Sequence, residues 1–346
     1  MKLLSEARNL QGRLIGKMEL LGFDLRNEAL LDTLTLDILK SSEIEGEYMN
    51  PDQVRSSIAR KLGMEIAGSV ESDRSVDGVV EMMLDATQNC FKPLTAERLF
   101  DWHAALFPTG RSGMFKITVG DWRKDTTGPM QVVSGAMGKE KVHFQAPDSA
   151  IVDNEMDLFL NWFNNYIKTD LVIKAAIAHL WLVTIHPFED GNGRITRAAT
   201  DMLLAQADNT TQRFYSMSAQ IRKQRTQYYE MLEKTQKGNL DITDWIKWFL
   251  SCLINALKAT ELSLSNVLSK ADFWNEHSKI SLNERQKKLI NKMLDGFEGK
   301  LTSDKWAKIS KCSKDTAIRD INDLIEKNIL QKENAGGRST HYTLNT

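Results

Sequence analysis

The side chains best suited to chemistry lie close together, between Thr184 and Arg197. His186 is the one group there able to take up a proton near neutral pH. Asp190 offers a hard carboxylate oxygen of the kind that holds Mg2+ between protein and phosphate. Gly191 and Gly193 let the backbone approach an anion closely. Arg194 and Arg197 stand three apart, so on a helix they share one side and fork onto phosphate oxygens. A base, a metal carboxylate, an anion cradle and two arginines suit phosphoryl or nucleotidyl transfer. A lone Gly-x-Gly would be better read as a turn beside solvated arginines. Six suitable residue types within about twelve positions favour the chemical reading.

Such a loop needs rigid supports. Residues 171–185 are apolar enough for a buried helix, and residues 195–206 read as a second one, so the loop joins two core helices. An anion would then face the unpaired N–H groups and the positive dipole end of the second helix. Helical spacing recurs over residues 3–21, 28–39, 79–83, 99–107 and 151–167. All six prolines fall before residue 190 and act as punctuation. Residues 114–147 break the pattern. Two β-like runs, 130–133 and 141–144, flank a turn-like stretch 134–140 and predict a hairpin or flap. After a polar stretch, 269–279, a second small unit follows. An amphipathic helix (285–293), a short helix (302–309), a turn at Lys311-Cys312-Ser313, a longer helix (315–327) and a hairpin through Gly336-Gly337-Arg338 and 341–344 follow winged helix-turn-helix order.

The composition sets wider bounds. At 346 residues, 42% hydrophobic and 26% charged, the chain can build about two or three cores and is neither disordered nor collagen-like. A net charge of −1 excludes a polycation, but residues 281–346 carry a net +4 on an otherwise acidic body. Cys90, Cys252 and Cys312 are few, odd in number and widely spaced, which argues against a disulfide framework or a zinc site. The first residues become charged before an apolar signal region forms, and the longest apolar stretch, 175–185, is far short of the roughly 20 residues that span a bilayer. The expectation is a cytoplasmic protein with no membrane partner. His103 and His179 lie in helical runs and read as core or cap residues.

The run His186-Pro187-Phe188-Glu189-Asp190-Gly191-Asn192-Gly193-Arg194-Ile195-Thr196-Arg197 resembles the complete signature of the Fic family. The resemblance implies a mainly α fold, a Fic-type helical core with a small β-hairpin flap, here joined to a winged helix-turn-helix C-terminal domain. The implied division is 1–50, an N-terminal helical segment with an inhibitory motif; 51–257, the catalytic core; 258–280, a linker helix; and 281–346, the winged helix. It further implies transfer of AMP from ATP, with Mg2+, to a Ser, Thr or Tyr hydroxyl of a target protein. His186 would be the base and Asp190 the metal ligand. Gly191, Asn192 and Gly193 would line the anion hole. Arg194 would bind the β-phosphate side, Arg197 the γ-phosphate, and Phe188 would anchor the loop. Tyr228 and Tyr229 resemble a tyrosine pair near the adenine pocket, although a packed aromatic pair fits equally well. The flap, around Val133, Val142 and His143, would align the target by strand addition.

Ser41-Ser42-Glu43-Ile44-Glu45-Gly46 matches the family's inhibitory pattern of Ser or Thr, three residues, then Glu-Gly. Ser41, Glu45 and Gly46 would form a brake in which Glu45 pairs with Arg197 and displaces the γ-phosphate. Without the downstream signature the acidic stretch would read as a solvated helix end. Other readings stay open: another phosphate-group transfer or de-AMPylation by the same loop, or a transcriptional regulator using the loop as a nucleotide sensor. Self-AMPylation, a homodimer through the apolar stripe of residues 3–39, and docking of DNA or protein on the winged helix are also open.

Overall fold

The computed structural model describes the chain except residues 67, 126–127, 135–140, 278–279, 295–299, 334–340 and 346. It is mainly helical. The order is α1 (Lys2–Glu19), α2 (Phe23–Ile44), α3 (Pro51–Leu62), α4 (Arg74–Gln88), α5 (Ala96–Leu106), β1 (Arg111–Ser112), β2 (Phe115–Lys116), β3 (Gln131–Ser134), β4 (Lys141–Gln145), α6 (Val152–Asn165), α7 (Leu171–Ile185), α8 (Asn192–Asp208), α9 (Met217–Lys223), α10 (Arg225–Gln236), α11 (Thr243–Glu276), α12 (Glu284–Leu294), α13 (Ser303–Ser310), α14 (Lys314–Glu326), β5 (Leu330–Lys332) and β6 (Tyr342–Leu344). Two compact units divide at Thr260 and Glu261, within α11. The polar stretch near 269–279, expected at the end of a linker helix, is helical as far as Glu276.

In the first unit α7 packs along α8 at the centre. Leu171–Ile185 is helical because nearly every side chain is apolar and no Gly or Pro interrupts it. With no polar face, it must be covered on all sides. Asp170 caps it by accepting from the Val172 N–H, and the same carboxylate receives Arg8 Nε from α1 at 3.0 Å. Such a cap contributes about 1 kcal/mol. Around this pair lie α2, α4 and α5. The helix α8 begins at Asn192, three residues before the apolar spacing signalled it. Gly191, at φ +80, supplies the turn that lets it start early. Likewise α2 runs to Ile44, past its last clear apolar repeat, because Ser41 and Ser42 are buried rather than solvated.

Strands β3 and β4 pair antiparallel with a bulge between Val132 and Val133. Their connecting turn, 135–140, lies outside the described residues. A second hairpin, β1 with β2, had no sequence signal because two-residue strands are too short to alternate.

The second unit packs α12, α13 and α14 with the antiparallel β5–β6 pair around Leu289, Ile290, Trp306, Ile321 and Leu324. Gly336, Gly337 and Arg338 fall outside the described residues. The acidic groups of α14 divide by face. Asp320 is buried and receives Arg285 Nε at 3.1 Å, and Asp323 receives Gln286 Nε2 at 2.7 Å and Lys327 Nζ at 2.6 Å.

Candidate active site

The loop between α7 and α8 is held from three directions. Phe188 is fully buried, stacks on His103 with ring centroids 4.2 Å apart, and leans on Trp122 at 5.2 Å. Asn192 Nδ2 donates to the Phe188 carbonyl at 2.8 Å, and Asn192 Oδ1 accepts from the Phe188 N–H at 2.9 Å. Its side chain is thus spent bracing the loop. Arg123 Nε donates to the His186 carbonyl at 2.7 Å, and the Arg123 N–H to the Pro187 carbonyl at 2.9 Å. His103 Nε2–H reaches the Asp190 carbonyl at 3.2 Å. Burial pushes His103 down to about 4, so it works as a neutral donor.

His186 ends α7 in the left-handed region, at φ +54. A non-glycine residue pays about 1–2 kcal/mol there, which the Arg123 contacts help to offset. The Nδ1 atom lies 3.2 Å from the Val183 carbonyl. A carbonyl only accepts, so Nδ1 carries the proton and Nε2 keeps its lone pair. Burial lowers the His186 pKa from its ordinary 6.5, so the free-base form prevails at neutral pH.

Asp190 faces a groove of about 710 Å³ whose walls include Ser112, Phe115, Arg123, Met130 and Glu189. One Asp190 oxygen accepts from the Gly191 N–H at 2.5 Å and the other from the Ser112 hydroxyl. Beside it, the first N–H groups of α8 have no intrahelical acceptor. Arg194 and Arg197 follow in the first two turns, both about 2–3% exposed.

Both arginines meet carboxylates from the end of α2. Arg197 Nη1 lies 2.7 Å from Glu45 Oε1, Nε donates to the Ser41 hydroxyl at 2.8 Å, and Nη2 to the Ser41 carbonyl at 2.9 Å. Burial opposes the Arg197 charge, but Glu45 beside it leaves its pKa raised. Arg194 Nη1 lies 2.5 Å from Glu47 Oε2. Gly193 makes room for this arrangement: a Cβ there would sit 2.0 Å from Glu45 Oε1. The end of α2 is further tied by Arg225 Nε on the Ile44 carbonyl at 2.9 Å. Gly46, at φ +85, lets the chain turn back so that the Glu47 N–H reaches the Ser42 carbonyl at 3.0 Å.

Residues 93–204 match the family model described as Fic/DOC family, and residues 1–64 match that of a domain of unknown function, DUF4172. The chain carries a Fic domain. It is similar to the protein adenylyltransferase Fic of Drosophila mojavensis (36% identical) and of Drosophila melanogaster (35%), each over 99 residues, 28% of this chain and 18% of the relative. It thus spans about a fifth of the length of those relatives. Among solved structures, a Fic family protein from Desulfovibrio desulfuricans G20 superposes with a TM-score of 0.54 at 20% identity, covering 99% of this chain and 94% of that one. Fic-1 from C. elegans gives 0.51 at 18% identity, over 77% and 73%. These likenesses extend the Fic fold to the surrounding helices. The Glu45 and Glu47 carboxylates lie in the DUF4172 segment, outside the Fic match, and reach its arginines across the fold.

The remaining expected residues are placed less uniformly. Tyr228 is 2% exposed, and its hydroxyl lies 2.9 Å from His179 Nε2. His179 Nδ1 in turn lies 2.9 Å from the Thr200 hydroxyl, which donates to the Thr196 carbonyl at 2.7 Å. Burial, aided by the Arg197 charge, pushes His179 down to about 3, so the chain of donors runs from Tyr228 inward. Tyr229 is half-buried, with Arg225 over its ring and its hydroxyl 3.4 Å from the Ile44 carbonyl. In the flap Val133 and Val142 are directly opposed and exposed, whereas His143 Nδ1 reaches Glu233 of α10 at 2.7 Å. Sequence reasoning passed over Glu47, Ser112 and Arg123. Each acts on the loop from at least 60 positions away, beyond any local spacing. No helix among the described residues is long and apolar enough to cross a membrane.

Proposed function

We propose that the chain is a protein adenylyltransferase that moves AMP from ATP to a Ser, Thr or Tyr hydroxyl and is restrained by Glu45. The observation that carries this reading is the tautomer of His186, with Nε2 unprotonated beside the anion-binding end of α8. His186 Nε2 takes the target hydroxyl proton as that oxygen attacks the α-phosphorus, and pyrophosphate leaves. The backbone N–H groups of Asn192 and Gly193 hold the phosphate oxygens, with Arg194 on the β-phosphate and Arg197 on the γ-phosphate. Asp190 suits Mg2+, because its two oxygens are oriented by Gly191 and Ser112 toward the groove and one carboxylate plus substrate phosphates is the usual Mg2+ environment. Bound there, Mg2+ would neutralise phosphate charge. Tyr229, the more accessible of the pair, is the adenine contact, while Tyr228 braces the core. The exposed edge at Val133 and Val142 aligns the target segment.

With Glu45 on Arg197 the γ-phosphate position is taken, and ATP settles with its α-phosphorus out of line for attack. Mass spectrometry of a target incubated with ATP and the Glu45→Gly variant tests the chemistry. An AMP adduct supports it; a phosphate adduct assigns the loop to another transfer, and removal of preformed AMP without addition assigns it to the reverse reaction.

The second unit, expected as a winged helix, suggests a separate reading, duplex DNA binding by α14. Two of its acidic groups, Asp320 and Asp323, are engaged with α12 and Lys327. Exposed on α14 are Ile318, Arg319 and Asn322, types that read base edges, together with the acidic Asp315 and Glu326. A gel shift with the full chain and its Arg319→Ala variant tests this. Retardation lost in the variant supports it, and no retardation at low salt contradicts it.

A further inference from the structure

Glu47 has no place in the inhibitory pattern read from the sequence, yet it makes the closest contact to a phosphate-site arginine. Its Oε2 lies 2.5 Å from Arg194 Nη1. Arg194 is otherwise poorly satisfied. Its Nε and Nη2 are buried without a hydrogen-bond partner among the described residues, and its guanidinium lies 5.2 Å from the Phe107 ring centroid. A buried cation with two donors unused is a site prepared for an anion. At present Glu47 supplies part of that anion.

The backbone explains why one segment reaches both arginines. Glu45 and Glu47 flank Gly46, whose left-handed conformation closes the end of α2. The turn sends the first carboxylate to Arg197 and the second to Arg194, one helical turn apart on α8. The two contacts differ in character. The Glu45 side chain is 30% exposed and Glu47 is 45% exposed. The Glu47 contact is therefore the more screened and the more easily displaced.

We infer that Glu47 is a second gating carboxylate that occupies the β-phosphate position on Arg194 and sets the affinity for any nucleotide carrying a β-phosphate, separately from Glu45. The inference rests on the phosphate assignments proposed above. It acts through Arg194 rather than on the reacting atoms, so Glu47 is a positioning residue. It also separates two effects of one helix end: Glu47 acts on any nucleotide with a β-phosphate, whereas Glu45 acts only through the γ-phosphate of ATP, on its binding and its alignment.

Calorimetric titration of the full chain with AMP, ADP and ATP, in wild type, Glu47→Gln and Glu45→Gly, tests this. Glu47→Gln should tighten ADP and ATP alike by about five-fold, the scale of a half-exposed ion pair, and leave AMP unchanged. Glu45→Gly should tighten ATP alone. Unchanged ADP affinity in Glu47→Gln, with an unaltered melting temperature, overturns the inference. If Glu45→Gly nevertheless acts on ATP, only the Glu47 role falls; if neither variant changes any affinity, the proposed phosphate assignments fall with it. A Glu47→Ala variant repeats the measurement without the amide, so that a new hydrogen bond from Gln cannot mask the result.

Discussion

His186 combines an unusual backbone, a fixed tautomer and a depressed pKa, and these have one consequence for rate. A base must be unprotonated, and burial holds His186 below the ordinary histidine value. Transfer by the Glu45→Gly variant should therefore be level through neutral pH and fall only on acidification past the lowered pKa. A pH profile of labelling measures this; a half-point above 6.5 would mean that another group supplies the base. The position of this loop between two core helices was legible in the sequence because its polar types are dense and local. Glu47 was not, since an acidic helix end looks solvated until the fold carries it to Arg194. Tyr228 was ambiguous for the same reason: its partner His179 lies 49 positions away, and nothing nearby distinguishes a pocket tyrosine from a core one.

The end of α2 works as one piece, because Gly46 closes it and Ser41 seats it on Arg197. An added Cβ at Gly46 meets nothing within 4 Å, so the penalty is conformational rather than steric. Gly46→Ala should cost about 1 kcal/mol and loosen both carboxylates. Transfer should rise above wild type but stay below Glu45→Gly, with a slightly lower urea midpoint. Activity at or below the wild-type level would mean the turn does not place the carboxylates. Helices α7 and α8 were legible from their apolar run and the glycines between them. The early start of α8 was not, because it depends on Gly191 and the Asn192 brace rather than on periodicity. The flap strands were recognised from alternation, while β1 and β2 were too short to leave a pattern.

Across the molecule, the first unit places an acidic N-terminal helix end over a Fic loop whose own family match begins at residue 93. Core polar chains fasten the parts. Tyr228→Phe would leave the buried His179 Nε2 without its donor, at about 1–3 kcal/mol. Urea unfolding should register that loss while ATP affinity stays unchanged; weaker ATP binding at full stability would instead move Tyr228 to the adenine pocket. The two compact units divide at Thr260 and Glu261, inside α11 and three residues past the expected end of the core at 257. The central claim is that His186 performs a transfer which Glu45 suppresses. Labelling with ATP carrying a radioactive α-phosphate, comparing wild type, Glu45→Gly and Glu45→Gly with His186→Ala, tests it most directly. The account predicts a large gain in the first variant and its complete loss in the second. Equal labelling in wild type and Glu45→Gly, or labelling that survives without His186, would contradict it.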